Sequence, residues 1–146
     1  MTHHHILPDQ RVTLTTLGVR NLAAARTFYQ SLGWRPARES DGMSLYQMHG
    51  AALALYGLDD LADDQDRPVG ELGTGAMTLA QNFATEADVD AAWHRAILAG
   101  ARVIKLPQAA SWGGYSGYFA DPDGHVWELA MNPLWPLADD GSLTLP

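Results

Sequence analysis

Residues 112–129 read WGGYSGYFADPDGHVWEL, and this stretch predicts a β-hairpin. An aromatic strand leads into a tight turn at residues 121–124, and a second strand follows the turn. Pro122 fixes φ at the first corner of the turn, and Gly124 can adopt the positive φ that the exit requires. The second strand carries one carboxylate, Glu128, so the hairpin is also a candidate functional element.

The chain is built as an internal repeat, and its first half predicts a strand, a helix and three further strands. The first strand spans residues 12–19 and is rich in Thr, Val and Leu. Asn21 caps the helix and Gly33 ends it. The three strands that follow are predicted near residues 35–39, 43–48 and 51–56.

The second half repeats this order of elements. A strand is predicted over residues 76–83, and Thr85 with Asp88 forms the capping-box-like start of a helix that Gly100 closes. Three strands follow near residues 102–106, 115–120 and 125–130. Each half is therefore a β-α-β-β-β module, and we expect an α+β fold in which the two modules pack together or exchange between copies.

The hairpin and the repeat resemble the vicinal-oxygen-chelate superfamily, which includes glyoxalases, extradiol dioxygenases and bleomycin-resistance proteins. The resemblance covers roughly residues 12–132 and implies a curved mixed β-sheet cleft with helices outside, in a homodimer. The expected divisions are an N-terminal tail (1–11), a single domain (12–132) and a C-terminal tail (133–146). Within the domain we expect a first module (12–56), a linker (57–75) and a second module (76–132).

In metal-dependent relatives each module gives two ligands to a divalent ion, and the resemblance places Glu128 at one of these positions. The internal repeat locates the other three positions at Leu14, Ala54 and Thr78. One carboxylate among four positions is not a metal site, and a register error of one residue does not supply a ligand. We therefore expect no metal and no cofactor.

The histidines do not change this expectation. His49 and His125 lie at turns and His94 lies in the middle of a helix, so all three are predicted to face solvent. The cluster His3–His5 lies in the N-terminal tail, and it is either natural sequence or the remnant of a tag.

Strand alternation predicts which side chains line the cleft. The candidate ligand-binding residues are Thr16, Tyr56, Thr78, Asn82, Trp112, Tyr118 and Glu128. Two interpretations stay open for Glu128: a general base, or an acceptor of hydrogen bonds from neighbouring polar side chains. Trp112 and the glycine pair after it form either a ligand-gating loop or a tight turn.

Composition excludes several classes of function. The 146 residues carry a formal net charge of −8, which argues against nucleic acid as a partner. No apolar run has the length of a membrane span, and the chain has no cysteine, which favours a cytoplasmic protein. The acidic run at residues 59–66 is predicted to be a solvated loop within the linker.

The favoured function is a metal-free protein that binds a small organic molecule, cationic or aromatic, as in the bleomycin-resistance branch that the chain resembles. The alternative is an enzyme of the lyase or dioxygenase type. Such an enzyme is either metal-dependent, with a ligand set that the sequence does not reveal, or metal-free with Glu128 as general base. The sequence leaves open whether the protein catalyses a reaction.

Overall fold

The structure, a computed structural model, describes residues 10–146. The cluster His3–His5 and most of the predicted N-terminal tail lie outside the described residues. No helix within residues 10–146 combines the length and apolar character needed to cross a membrane.

The first module forms a four-stranded sheet with one helix. Its elements in chain order are β1 (Leu14–Val19), α1 (Leu22–Ser31), β2 (Arg38–Glu39), β3 (Met43–Gln47) and β4 (Ala52–Gly57). The strands lie in the order β1-β4-β3-β2, with β1 parallel to β4 and the other neighbours antiparallel. Strand β1 is therefore one edge of this sheet.

The second module repeats this architecture. Its elements are β5 (Thr78–Asn82), α3 (Glu86–Leu98), β6 (Arg102–Ala109), β7 (Tyr115–Ala120) and β8 (Val126–Met131). The strands lie in the order β5-β8-β7-β6, with β5 parallel to β8. The two-module α+β fold predicted from the sequence is confirmed.

The acidic segment between the modules corrects one prediction. Instead of a loop, it begins with helix α2 (Leu58–Asp64), and a single 3-10 turn follows at Val69–Glu71. Helix α2 forms because Leu58 and Leu61 lie one turn apart and both contact β1, while its aspartates face solvent. The many aspartates of this segment are typical of a solvated loop, so the spacing of Leu58 and Leu61 did not lead to a helix prediction.

Both long helices begin at the residues that the sequence indicates. The Asn21 side chain accepts a hydrogen bond from the backbone N–H of Ala24, at 3.0 Å. The Thr85 hydroxyl accepts one from the backbone N–H of Asp88, at 3.1 Å. Each bond satisfies a backbone donor that the first helical turn leaves without a partner.

The two modules share one hydrophobic core, because helix α1 of the first module packs against the second sheet. The ring centroids of Phe28 and Phe119 lie 6.2 Å apart, as do those of Tyr29 and Trp127. Trp34, just after α1, packs edge-to-face against Trp127, with ring centroids 5.4 Å apart. The helix-bearing faces of both sheets are therefore buried within one chain, and the opposite faces lie outside this core.

Candidate functional site

The turn predicted at residues 121–124 joins the two modules through the buried carboxylate of Asp121. Its Oδ1 accepts hydrogen bonds from the backbone N–H groups of Asp123 and His125, both at 2.9 Å. Its Oδ2 accepts a hydrogen bond of 2.7 Å from the hydroxyl of Tyr29 on α1. One side chain thus fixes the turn and attaches it to the first module.

The hydroxyl of Tyr29 is fully buried and has two partners. It donates to Asp121 and accepts a hydrogen bond of 2.9 Å from Nε1 of Trp127. Burial, followed by the negative charge of Asp121, raises the pKa of Tyr29 far above its ordinary value. The tyrosine is therefore a neutral hydrogen-bond donor throughout the physiological range.

A second link between the modules runs through Arg20, at the end of β1. Its backbone N–H and its Nε donate to Oδ1 of Asp123 at 2.8 and 3.1 Å, and Nη2 donates to the carbonyl of Pro122 at 3.0 Å. The arginine side chain is 68% exposed and the Asp123 side chain is 7% exposed, so the pair lies at the boundary between solvent and the protein interior. The geometry of the pair orients the turn against β1.

His125 corrects a further prediction, since its ring does not simply face solvent. The ring is half-buried, and its Nε2 lies 2.8 Å from the carbonyl oxygen of Gly18 on β1. No local signal could reveal this contact, because the two residues are 107 positions apart in the chain. His125 is therefore a site residue that sequence reasoning missed.

These contacts border a cleft of about 760 Å³ where β1, the linking segment and the start of β8 meet. Among the ligand-binding residues predicted from the sequence, Thr16 lines this cleft and the other six do not. The polar side chains around it are Thr16, Arg20, Gln65, Arg67, Glu71, Thr74, Asp123 and His125.

Glu128 lies on the other candidate surface, the face of the second sheet that carries no helix. Its neighbours across the sheet are Ala80 on β5 and Tyr118 on β7, and Tyr118 in turn pairs with Lys105 on β6. Burial and then the nearby Glu128 carboxylate raise the pKa of the Tyr118 hydroxyl. Glu128, Tyr118 and Lys105 thus form a polar row across this open face.

The remaining predicted site residues divide among three places. Thr78 and Asn82 lie on β5 at positions that share the face of Glu128. Tyr56 lies beside Gly18 in the first sheet, on the same face as Thr16. Trp112 is 56% exposed in the β6–β7 turn, and its ring lies directly over Gly114. The structure therefore brings Thr78, Asn82, Tyr118 and Glu128 onto one surface and places the others elsewhere.

The strand registers support the positions assigned to metal ligands by the internal repeat. Ala54 pairs with the third residue of β1 just as Glu128 pairs with the third residue of β5. Leu14 and Thr78 are likewise the first residues of those two strands. Within residues 10–146 no three His, Asp or Glu side chains come together as a metal-binding group. This donor set does not fit the divalent ion of the metal-dependent relatives.

The fold and the two surfaces define a class: a two-module α+β protein with a cleft at the module junction and an open polar sheet face. The chain belongs to the glyoxalase/bleomycin resistance protein/dioxygenase superfamily, whose family model matches residues 4–129.

Individual relatives agree with this assignment. A crystal structure described as a glyoxalase-related enzyme from Fulvimarina pelagi is 39% identical, with a TM-score of 0.87, over 93% of this chain and 98% of that one. A crystal structure of a lactoylglutathione lyase from Agrobacterium tumefaciens is 22% identical, with a TM-score of 0.70, over 90% of this chain and 100% of that one. At this level of identity the similarity establishes a shared fold and nothing about activity.

A curated relative covers only part of the chain. An uncharacterized protein of Mycobacterium bovis is 47% identical over 47 residues, which are 32% of this chain. The match spans 31% of that relative's length.

Proposed function

We propose that this protein binds a small organic molecule on the open face of its second sheet, without a bound metal ion. The observation that carries the proposal is the row formed by Glu128, Tyr118 and Lys105. A carboxylate, a phenol and an ammonium in adjacent positions can accept and donate hydrogen bonds to one ligand. Lys105 is also the single lysine of the chain.

Several neighbouring positions on this face carry small side chains, which leaves room for a ligand over the row. Ala80 stands beside Glu128 on β5, and Ser116 pairs with Ala130 one step along the sheet. Ala80 is exposed, so nothing within residues 10–146 covers this part of the sheet. A bound molecule would lie flat against the strands and contact the polar row from above.

A second copy of the chain is the partner that we propose for this face. The helix-free face is open in one chain, and apolar side chains are exposed around it on β6, which is an edge strand. Val103, Ile104 and Leu106 are 46%, 45% and 62% exposed. An exposed apolar edge of this kind favours association over a solvated monomer. The resulting homodimer would convert the open face into an enclosed cleft.

Catalysis without a metal is the second candidate function. Glu128 stands next to a tyrosine whose hydroxyl stays protonated, so the pair can act as base and hydrogen-bond donor on one substrate. A rate that depends on Glu128, and that falls on its replacement by Gln without loss of binding, would favour this candidate over a pure binding protein.

Three probes of one size and different charge test the binding proposal: benzylammonium, benzyl alcohol and benzoate. Titration calorimetry on wild type and Glu128→Gln should show a loss of affinity of about tenfold for a probe that donates to this carboxylate. Glu86→Gln, on an exposed helical turn of α3, is the matched control and should bind like wild type. Affinities that are identical in wild type and Glu128→Gln for all three probes would overturn the proposal.

A further inference from the structure

The 760 Å³ cleft at the module junction lies between the edges of the two sheets. Within residues 10–146, β1 pairs only with β4 and β5 pairs only with β8, and both edge strands contribute residues to the cleft. Helix α2 and the segment after it, as far as Met77, supply a further wall, and Arg20, Asp123, His125 and Val126 complete the lining. The volume is that of a site for a small organic ligand. Glu128 does not line this cleft.

Slightly more than half of the accessible surface of the cleft wall is apolar. Both modules and the linking segment contribute aliphatic or thioether side chains: Leu58, Leu61, Leu72, Met77, Leu79 and Val126. Leu58 and Leu61 lie so close to Gly18 that a β-carbon there would approach them to 2.7 and 3.0 Å. An apolar molecule that entered the cleft would gain free energy by removing this surface from water.

The charged side chains of the cleft neutralise each other. Arg20 is paired with Asp123 at 3.1 Å, and Arg67 lies 3.7 Å from the carboxylate of Glu71. Arg67 also donates to the side-chain oxygen of Gln65 at 2.8 Å. Because Arg20 and Arg67 each have an acidic partner, the described part of the chain supplies no unpaired arginine or carboxylate to the cleft. The ligand of the cleft is therefore expected to be uncharged.

His125 supplies a polar group with unused hydrogen-bonding capacity. A carbonyl oxygen can only accept, so the contact with Gly18 requires that Nε2 carry a proton and donate it. In the neutral ring Nδ1 is then an acceptor, and it has no partner among residues 10–146. The Gly18 carbonyl thus fixes both the orientation of the ring and its tautomer.

We propose that this cleft is a second ligand site, separate from the Glu128 face, for an uncharged and largely apolar molecule with one O–H or N–H donor. The apolar walls hold the body of the molecule, and its donor bonds to Nδ1 of His125. Thr16, which also lines the cleft, offers a hydroxyl within the same site. The proposal does not depend on what the Glu128 face binds.

The experiment compares two probes, 2-naphthol and 2-methoxynaphthalene, which differ in the presence of the O–H donor. Calorimetric titration of the full chain at pH 7 should show tighter binding of 2-naphthol, by about tenfold for one hydrogen bond. His125→Phe should remove this difference and leave the affinity for 2-methoxynaphthalene unchanged. In ¹H–¹⁵N NMR spectra of wild type, 2-naphthol should shift the amide signals of residues 72–77.

Two further variants separate this site from other surfaces. Met77→Trp, at a half-exposed position of the wall, should fill the cleft and abolish binding of both probes. Leu98→Trp, on the exposed side of α3, is its control and should bind like wild type. Glu128→Gln should also bind both probes normally, whatever its effect on the other face. Equal affinities for the two probes in wild type, or NMR shifts confined to other residues, would overturn the proposal.

Discussion

The hydroxyl of Tyr29 provides the strongest single test of how the two modules are joined. Tyr29→Phe removes one oxygen and keeps the ring, so the packing against Phe28 and Trp127 is retained. The change leaves Oδ2 of Asp121 and Nε1 of Trp127 without their partners in the core. Both groups stay buried, and neither can reach water without a local rearrangement.

The expected loss of stability follows from these two bonds. A hydrogen bond to a charged group contributes about 1.5–3 kcal/mol, and one between neutral groups contributes about 1 kcal/mol. Tyr29→Phe should therefore lower the free energy of unfolding by about 3 kcal/mol. For a chain of this length the midpoint of thermal unfolding should fall by roughly 10 °C.

Urea unfolding followed by circular dichroism measures this change, and Tyr115→Phe is the matched control. Tyr115 also donates to an aspartate, Asp90, at 2.6 Å, but this pair is exposed to solvent. Its removal should change the unfolding midpoint little, because water replaces the lost bond. If Tyr29→Phe cost no more than Tyr115→Phe, the buried bond to Asp121 would not be what joins the modules.

Two further predictions concern stability. The raised pKa of Tyr29 means that its contribution is complete below pH 10, where an unfolded tyrosine is still protonated, and is lost as the pH rises above that value. The urea midpoint of wild type should accordingly fall between pH 9 and 11, and Tyr29→Phe should fall less; parallel curves would refute this. Gly117→Ala should cost about 1–3 kcal/mol, since the added β-carbon would lie 2.8 Å from the backbone nitrogen of Pro107 and 3.0 Å from the carbonyl of Lys105. Gly70→Ala has open space around it and is the control; equal unfolding midpoints for these two variants would contradict the tight approach of β6 to β7.

The elements of the fold could be predicted because their signals are local. The caps at Asn21 and Thr85 each act on an N–H three residues further along the chain. The alternation along β8 correctly places Trp127 and Leu129 in the core, at 4% and 2% exposure. Helix α2 could not be predicted in the same way, because its apolar residues Leu58, Leu61 and Ala62 alternate with aspartates that are typical of a solvated loop.

The candidate site could be predicted only in part, because its geometry depends on contacts between distant residues. Alternation groups Thr78 with Glu128 on one face of the second sheet. Thr78 pairs with Val126, and Glu128 lies two residues after Val126, so the side chains of Val126 and Glu128 point to the same face. Alternation cannot reveal that Tyr29 packs on Trp127, 98 residues away, and this contact decides which sheet faces are buried. For the same reason the sequence could not bring His125 to Gly18 or locate the cleft between the sheet edges.

We propose above that this protein binds organic molecules without the metal ion of its metal-dependent relatives. The most direct measurement is calorimetric titration of Zn²⁺, Ni²⁺, Mn²⁺ and Fe²⁺ into a variant with His3, His4 and His5 replaced by alanine. We expect no binding that responds to a further Glu128→Ala substitution. Tight binding of one ion per chain, abolished by Glu128→Ala, would contradict this expectation and identify Glu128 as a metal ligand.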